Sequence, residues 1–212
     1  MRFLSGITLT ALLASSLAAQ QQAGSPAPMP ASLKSFTSKF FVTGALNGAA
    51  ISLEGSNTSE NGQGGSLGLG YGFTPKFAGY IEGSGARMSS DDGNYTLAHF
   101  DIGARYHFAN MARAWIPFVD AAFSGRTVQQ NDYQMCTPGC TTDDLSMTGT
   151  GFSLGGGVMW YASRKVAISA NLRWTNGEFN EVKYGNVTVT GLNQDATSTR
   201  FGLGMVWFPG AK

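Results

Sequence analysis

Apolar residues recur at every second position along most of the chain after Phe36, and this alternation limits the fold more than any other feature. In residues 199–208 the alternate positions hold large apolar side chains: Phe201, Leu203, Met205 and Trp207. A period of two places successive side chains on opposite faces of a β-strand, whereas an amphipathic helix has a period of 3.6 residues. The chain is therefore predicted to be all-β.

Eight such stretches are predicted to be strands, at residues 39–53, 66–73, 77–88, 95–108, 115–128, 149–161, 166–175 and 198–208. Three connections, residues 74–76, 109–113 and 162–165, are tight, whereas those after the first, fifth and seventh strands are long and polar. Short turns at one end and long loops at the other are typical of outer-membrane barrels. The predicted fold is an eight-stranded antiparallel up-and-down transmembrane β-barrel.

The first 35 residues differ in composition from the rest of the chain. Residues 1–20 have the order of a secretory signal peptide, with Arg2, an apolar run and a segment of small residues. Residues 21–35 are rich in Gln, Pro, Ala and Ser and are predicted to form an extended linker. The barrel is assigned to residues 36–209, and export through the signal peptide predicts a location in the outer membrane.

Alternation alone also fits a soluble lipocalin-like ligand carrier, whose apolar side chains point inward. The composition favours a membrane barrel, because the chain has 29 glycines and only 13% charged residues. The polar positions of the strands hold mainly Gly and Ser, which suit the narrow interior of an eight-stranded barrel. The apolar face is therefore predicted to contact lipid, and the soluble carrier is kept as a remote alternative.

Aromatic residues collect at the strand ends next to the short turns. Amphipathic rings at this position form the interfacial girdle of a membrane barrel. The predicted girdle consists of Tyr71, Phe73, Tyr106, Phe108, Trp115, Trp160, Tyr161 and Trp207. Acidic residues fall mainly in the long connections, and this acidic end suits cation-bridged contact with lipopolysaccharide.

Six charged residues are predicted to point into the lumen near mid-height: Glu82, Asp101, Arg105, Asp120, Arg173 and Arg200. Isolated charges in a narrow barrel would cost several kcal/mol each, so they are expected to pair. They are also expected to accept or donate hydrogen bonds with four polar lumen residues, Ser124, Ser153, Ser169 and Asn171. The paired network is interpreted as a static polar core, and a gated, weakly conducting pore for ions or small solutes is the alternative. His99 and His107 share this face and are predicted to be hydrogen-bonded fillers.

The only cysteines, Cys136 and Cys140, are expected to form a disulfide after export. The bond would stiffen the tip of the loop between the fifth and sixth strands, residues 129–148, which is the third of four polar loops opposite the short turns and is predicted to be the largest recognition surface. No histidine lies near, and two thiols do not complete a zinc site. No metal or cofactor is predicted.

The chain from Phe36 to Phe208 resembles the small eight-stranded outer-membrane barrels of the OmpA, OmpX and opacity-protein type. Its last strand matches the signal by which the barrel-assembly machinery recognises that family, at Arg200, Gly202, Met205, Trp207 and the terminal aromatic Phe208. Family members often end at that aromatic, whereas four residues follow it here. The resemblance implies a structural and surface-interaction protein of the Gram-negative envelope, acting in integrity or adhesion through its loops.

The expected partners are outer-membrane lipids including lipopolysaccharide, the barrel-assembly machinery, periplasmic chaperones and an extracellular ligand of the loops, with no nucleic acid, and the protein is predicted to be a monomer. Some barrels of this size are lipid A enzymes, and those resembling the deacylases carry a His-x-Ser pair. Here Phe100 and Asp101 follow His99, and Phe108 and Ala109 follow His107. The chain is therefore predicted not to be an enzyme.

Overall fold

The computed structural model describes residues 37–53, 59–90, 93–108, 114–136 and 140–211. The predicted signal peptide, the linker and the 109–113 turn lie outside these ranges. The chain divides into two units, residues 1–31 and 32–212, and every described residue belongs to the second. Within the described ranges, no helix is long and apolar enough to cross a membrane.

The described residues form eight strands: β1 Lys39–Leu53, β2 Glu60–Gly72, β3 Phe77–Ser90, β4 Gly93–His107, β5 Trp115–Cys136, β6 Cys140–Tyr161, β7 Val166–Tyr184 and β8 Val187–Trp207. Each strand pairs with the next, and β8 pairs with β1 in antiparallel register, with Gly202 opposite Asn47. The closed ring satisfies the backbone groups that would otherwise be exposed at a sheet edge. The predicted eight-stranded antiparallel barrel is confirmed.

Large apolar side chains lie on the outside of this barrel. In β5, Phe123 is 77% exposed, whereas the next residue, Ser124, is 2% exposed. In β4, Phe100 and Ile102 are exposed on either side of the buried Asp101. A water-soluble carrier would bury these rings and aliphatic groups. The outward position of the apolar face is confirmed, and the soluble alternative is wrong.

Strands β5 to β8 continue well past their predicted ends. Residues 130–136, 140–148, 178–184 and 187–195 form a four-stranded sheet that rises beyond the barrel, here called the extended sheet. The prediction that the connections after the fifth and seventh strands are long loops is therefore wrong for these residues. Antiparallel backbone pairing requires no apolar alternation, so the strands persist where the alternating pattern stops.

The tip of the extended sheet contains the predicted disulfide. Cys136 and Cys140 are bonded across the end of the β5–β6 hairpin. Below them a β-bulge between Gln130 and Tyr133 places Asp132 at a φ of 55°. Such a bulge bends one strand and increases its twist.

The two described short turns are each stabilised by a single hydroxyl. In the β2–β3 turn, Thr74 Oγ1 accepts hydrogen bonds from the backbone N–H groups of Lys76 and Phe77, at 3.2 and 3.0 Å. Ser163 Oγ does the same in the β6–β7 turn, with Lys165 and Val166. A side-chain oxygen that satisfies two backbone donors stabilises a tight turn.

Apolar side chains fill the lumen in two layers. The lower layer, next to the short turns, consists of Phe41, Ala78, Tyr80, Ile116, Phe118, Ala122, Met159, Tyr161, Ala167, Val206, Phe208 and Ala211. The upper layer, on the side of the extended sheet, consists of Ala49, Ile51, Ala86, Met88, Leu97, Phe179 and Ala196. The backbone N–H of Ala211 donates to the carbonyl of Phe208, so the chain end folds into the lower layer.

One residue of the predicted girdle belongs instead to the lower layer. Tyr161 is 1% exposed, and its ring stacks on Phe208 with centroids 5.8 Å apart. Trp160 points outward, and adjacent strand residues lie on opposite faces. Tyr161 therefore belongs to the lumen, and its assignment to the girdle is wrong.

Candidate functional site

The charged residues lie between the two apolar layers, in what is here called the charged layer. Register places Glu82 of β3 opposite Asp101 of β4, and Arg105 of β4 opposite Asp120 of β5. On the other side of the lumen, Arg173 of β7 is opposite Arg200 of β8. The structure brings all six predicted residues into one network: Glu82, Asp101, Arg105, Asp120, Arg173 and Arg200.

Arg173 connects three strands across the lumen. Its Nη1 atom donates to Glu82 Oε1 at 2.7 Å and to Asp101 Oδ2 at 2.8 Å. Its Nε atom donates to Asp120 Oδ1 at 3.3 Å. A Cβ at Gly155 would lie 2.6 Å from Asp120 Oδ1, so the glycine leaves room for this contact. One guanidinium group therefore serves three carboxylates.

Arg105 pairs with Asp120 on the side of the lower layer. The Arg105 Nη2 atom lies 3.1 Å from Asp120 Oδ2. The guanidinium carbon lies 4.1 Å from the ring centroid of Phe118 and 5.2 Å from that of Tyr80. Aromatic faces attract a cation, so Arg105 joins the charged layer to the apolar layer beneath it.

Arg200 completes the network on β8. Its Nη1 atom lies 2.9 Å from Asp101 Oδ2 and also donates to Ser84 Oγ at 2.9 Å. Its Nη2 atom donates to Thr175 Oγ1 at 3.2 Å. The Ser124 hydroxyl donates to Asp101 Oδ1. Buried ion pairs need such additional hydrogen bonds to offset the cost of desolvation.

The hydroxyl groups of the lumen differ in part from those expected. Ser124 contacts the network as predicted, whereas Ser153 pairs with Thr175 Oγ1 at 2.7 Å. Ser169 and Asn171 border a small cavity of about 10 Å³. The contributions of Ser84 and Thr175 were not predicted, although both lie at inward positions of the alternating pattern.

Two histidines and a fourth arginine also point inward. His99 Nε2 lies 3.1 Å from Ser198 Oγ, and the His107 ring contacts Phe118 with centroids 6.2 Å apart. Arg126 Nη1 donates to the carbonyl of Ala196 at 3.0 Å. Alternation along β5 places Arg126 inside the barrel, but its side chain takes no part in the ion pairs of the charged layer.

The charged layer can brace the barrel, because its ion pairs join strands on opposite walls. Side chains of the paired residues are at most 11% exposed. The lower and upper layers lie on either side of them. The arrangement is therefore that of a filled core.

On the outside, several residues of the predicted girdle contact one another at the barrel end next to the short turns. Tyr71 lies against Phe73 with centroids 5.4 Å apart, and Tyr106 lies against Phe108 at 5.1 Å. Trp115 is opposite Trp160 in the register of β5 and β6. The exposed members are Tyr71, Phe73, Phe108, Trp115, Trp160 and Trp207.

A groove of about 940 Å³ lies along the lipid-facing side of β1, β2, β3 and β8. Large apolar side chains stand beside it, at Leu46, Leu67, Leu203 and Met205. Glycines separate them, and a Cβ added at Gly83 or Gly85 would contact nothing within 4 Å. Large apolar side chains therefore cover less of the outer surface here than on β4 to β7.

The residues of the predicted assembly signal alternate along β8. Arg200 and Gly202 point inward, and a Cβ at Gly202 would lie 2.7 Å from Asn171 Oδ1. Met205 and Trp207 are exposed, whereas Phe208 is buried in the lower layer. The spacing of the signal is therefore that of a strand with one polar and one apolar face.

A family model described as "Outer membrane protein beta-barrel domain" matches residues 9–207. The solved structure of Neisserial surface protein A is similar, with a TM-score of 0.60 and 16% sequence identity over 79% of this chain and 96% of that one. The attachment invasion locus protein Ail of Yersinia pestis is also similar, with a TM-score of 0.50 and 9% identity over 80% of this chain and 99% of that one.

No curated protein sequence matches the chain significantly. Because these sequence identities are low, the structural similarities show a shared fold alone. The family match spans nearly the whole chain and agrees with the closed ring, the outward apolar face and the girdle. The chain belongs to the outer membrane protein β-barrel domain family, and its location is the outer membrane.

Proposed function

We propose that the protein is a structural and surface-interaction barrel of the Gram-negative envelope, which supports envelope integrity and contacts ligands outside the cell. The extended sheet is the observation that carries the proposal. It rises from the barrel end opposite the short turns and the girdle, the end that faces the exterior in outer-membrane barrels. Val187 and Val189 are 63% and 51% exposed there, and exposed apolar side chains are typical of contact surfaces.

The filled lumen favours the hypothesis of a static core rather than that of a narrow pore. A conducting path would need water along the axis, but apolar layers lie on both sides of the charged layer. Arg173 is also held by three carboxylates at once, and an exchange of partners would leave buried charges uncompensated.

Export, assembly and lipid contact are part of the same proposal. The signal peptide at residues 1–20 would direct export, and the last strand would be recognised by periplasmic chaperones and the barrel-assembly machinery. The groove beside Leu46 and Leu67 supports contact with lipid acyl chains. Acidic residues of the extended sheet, such as Glu178 and Asp195, would bind lipopolysaccharide through divalent cations. The barrel would act as a monomer and without catalysis.

Shortening the extended sheet tests the surface role. Residues 131–144 and 183–188 are each replaced by Asn-Gly, which closes a two-residue hairpin between Gln130 and Leu145 and between Val182 and Val189. The control is Lys76→Ala, in a short turn at the other end. Heat-modifiable gel migration verifies folding of every variant. Bacteria carrying the shortened barrel are expected to lose adhesion to cultured host cells, while the control retains it.

Adhesion that survives both replacements in a folded barrel would refute the surface role. The static core is tested separately by conductance of the purified protein in planar bilayers, where silence is expected. Steady openings that disappear in Arg173→Ala would instead support the pore.

A further inference from the structure

The lumen contains more positive than negative charge. Among the described residues, the buried or nearly buried charged side chains of the lumen are three carboxylates, on Glu82, Asp101 and Asp120, and four guanidinium groups, on Arg105, Arg126, Arg173 and Arg200. A charge taken out of water without a counterion is strongly unfavourable. One of these four cations therefore lacks a compensating carboxylate among the residues that the structure describes.

The surplus cation is Arg126. Every ion pair of the charged layer involves Arg105, Arg173 or Arg200. The next carboxylate toward the extended sheet, Glu60, accepts a hydrogen bond from the Tyr95 hydroxyl. Within the described part of the chain, the Arg126 guanidinium contacts the Ala196 carbonyl and the Phe179 ring, whose centroid lies 4.9 Å away.

The unsatisfied donors point to a ligand between two arginines. Arg126 is 1% exposed, yet its Nε and Nη2 atoms have no hydrogen-bond partner in the described part of the chain. Arg200 has the same deficiency at Nε. Arg200 is also the charged neighbour whose positive charge repels that of Arg126. Two neighbouring cations therefore have three buried N–H-bearing atoms free to donate.

We infer that a small inorganic anion binds in the lumen between Arg126 and Arg200. Bound water could accept the hydrogen bonds but could not neutralise the surplus charge, whereas an anion does both. Phe179 and Ala196 of the upper layer enclose the guanidinium, so the site suits a monatomic ion such as chloride better than a phosphate. The anion would complete the charge balance of the core and stabilise the folded barrel.

Urea unfolding of the detergent-solubilised barrel tests the site, with chloride and gluconate compared at equal ionic strength. Chloride is expected to raise the unfolding midpoint of the wild type, because a ligand that binds only the folded state stabilises it. Arg126→Met, which keeps an apolar side chain over Phe179, is expected to lose the difference between the two salts. Arg87→Met, at an exposed position of β3, is expected to retain it and controls for general salt effects.

Crystals of the wild type refolded in bromide provide a second measurement that does not depend on the stability of any variant. An anomalous peak within hydrogen-bonding distance of Arg126 Nη2 is the expected result. The absence of that peak would overturn the inference, as would an equal midpoint of the wild type in the two salts. A chloride effect that persists in Arg126→Met would also overturn it.

Discussion

Strands β5 to β8 each cross two environments, and their sequences differ between them. Within the barrel, adjacent residues have opposite exposure, and in β7 Leu172 is 55% exposed whereas Arg173 is 4% exposed. In the extended sheet, the successive residues Val187, Thr188 and Val189 are all exposed. Antiparallel backbone pairing continues through both parts, interrupted by single β-bulges. Lipid therefore imposes the alternation, and the strand itself does not need it.

The comparison predicts that side chains determine stability in the barrel far more than in the extended sheet. The largest effect is expected for Arg173→Met, which leaves three carboxylates around an apolar side chain. Breaking a buried pair typically costs about 3–5 kcal/mol. The measurement is the free energy of unfolding in urea. Lys183→Met, an exposed position of the same strand, is the control and should leave it unchanged.

A charge on the lipid-facing side is expected to have the next largest effect. Leu172→Arg places a cation among acyl chains, at a cost of about 2–4 kcal/mol near the bilayer midplane. Val189→Arg makes a similar change where the surface meets water, and should alter the free energy of unfolding by less than about 0.5 kcal/mol. Both are measured in lipid vesicles. Equal effects at the two positions would mean that lipid does not impose the difference.

The difference between the barrel and the extended sheet also explains how much of the structure can be predicted from the sequence. Within the membrane, alternation located all eight strands, the inward charges and the exposed aromatic residues, because lipid contact constrains every second residue. Outside it, the predicted ends at Val128 and Thr175 mark where the alternation stops. The strands continue to Cys136 and Tyr184 through backbone hydrogen bonds that leave no trace in side-chain polarity.

Two details of the lumen were missed, for different reasons. Tyr161 was assigned to the girdle together with its neighbour Trp160, although adjacent strand residues cannot both face lipid; the parity rule would have corrected this. Arg126 is different, because alternation along β5 is sufficient to place it inside the barrel. Whether it reaches a carboxylate of the charged network depends on which side chains meet across the lumen. Those contacts are determined by the closed barrel.

Glycines on the two faces of the barrel wall offer a smaller test. A Cβ at the lumen-side Gly157 would lie 2.2 Å from the Ala170 carbonyl and 2.8 Å from the Phe118 ring. Gly157→Ala is therefore expected to destabilise the barrel by about 1–3 kcal/mol through overpacking. Gly85→Ala, with open space on the lipid side, should change the free energy of unfolding by less than about 0.5 kcal/mol. Similar losses for the two variants would show that the lumen is not tightly filled.

Removing the disulfide at the tip of the extended sheet is expected to have the smallest effect on the barrel. For so short a loop, the chain-entropy contribution of the bond is about 2 kcal/mol. It acts on a hairpin end that can open locally while the barrel stays folded. The double variant Cys136→Ser with Cys140→Ser should therefore exchange amide hydrogens faster in residues 131–144, with an unchanged urea midpoint for the barrel. A lower midpoint would mean that the extended sheet and the barrel unfold as one unit, and the contrast between the two environments would then not extend to their stability.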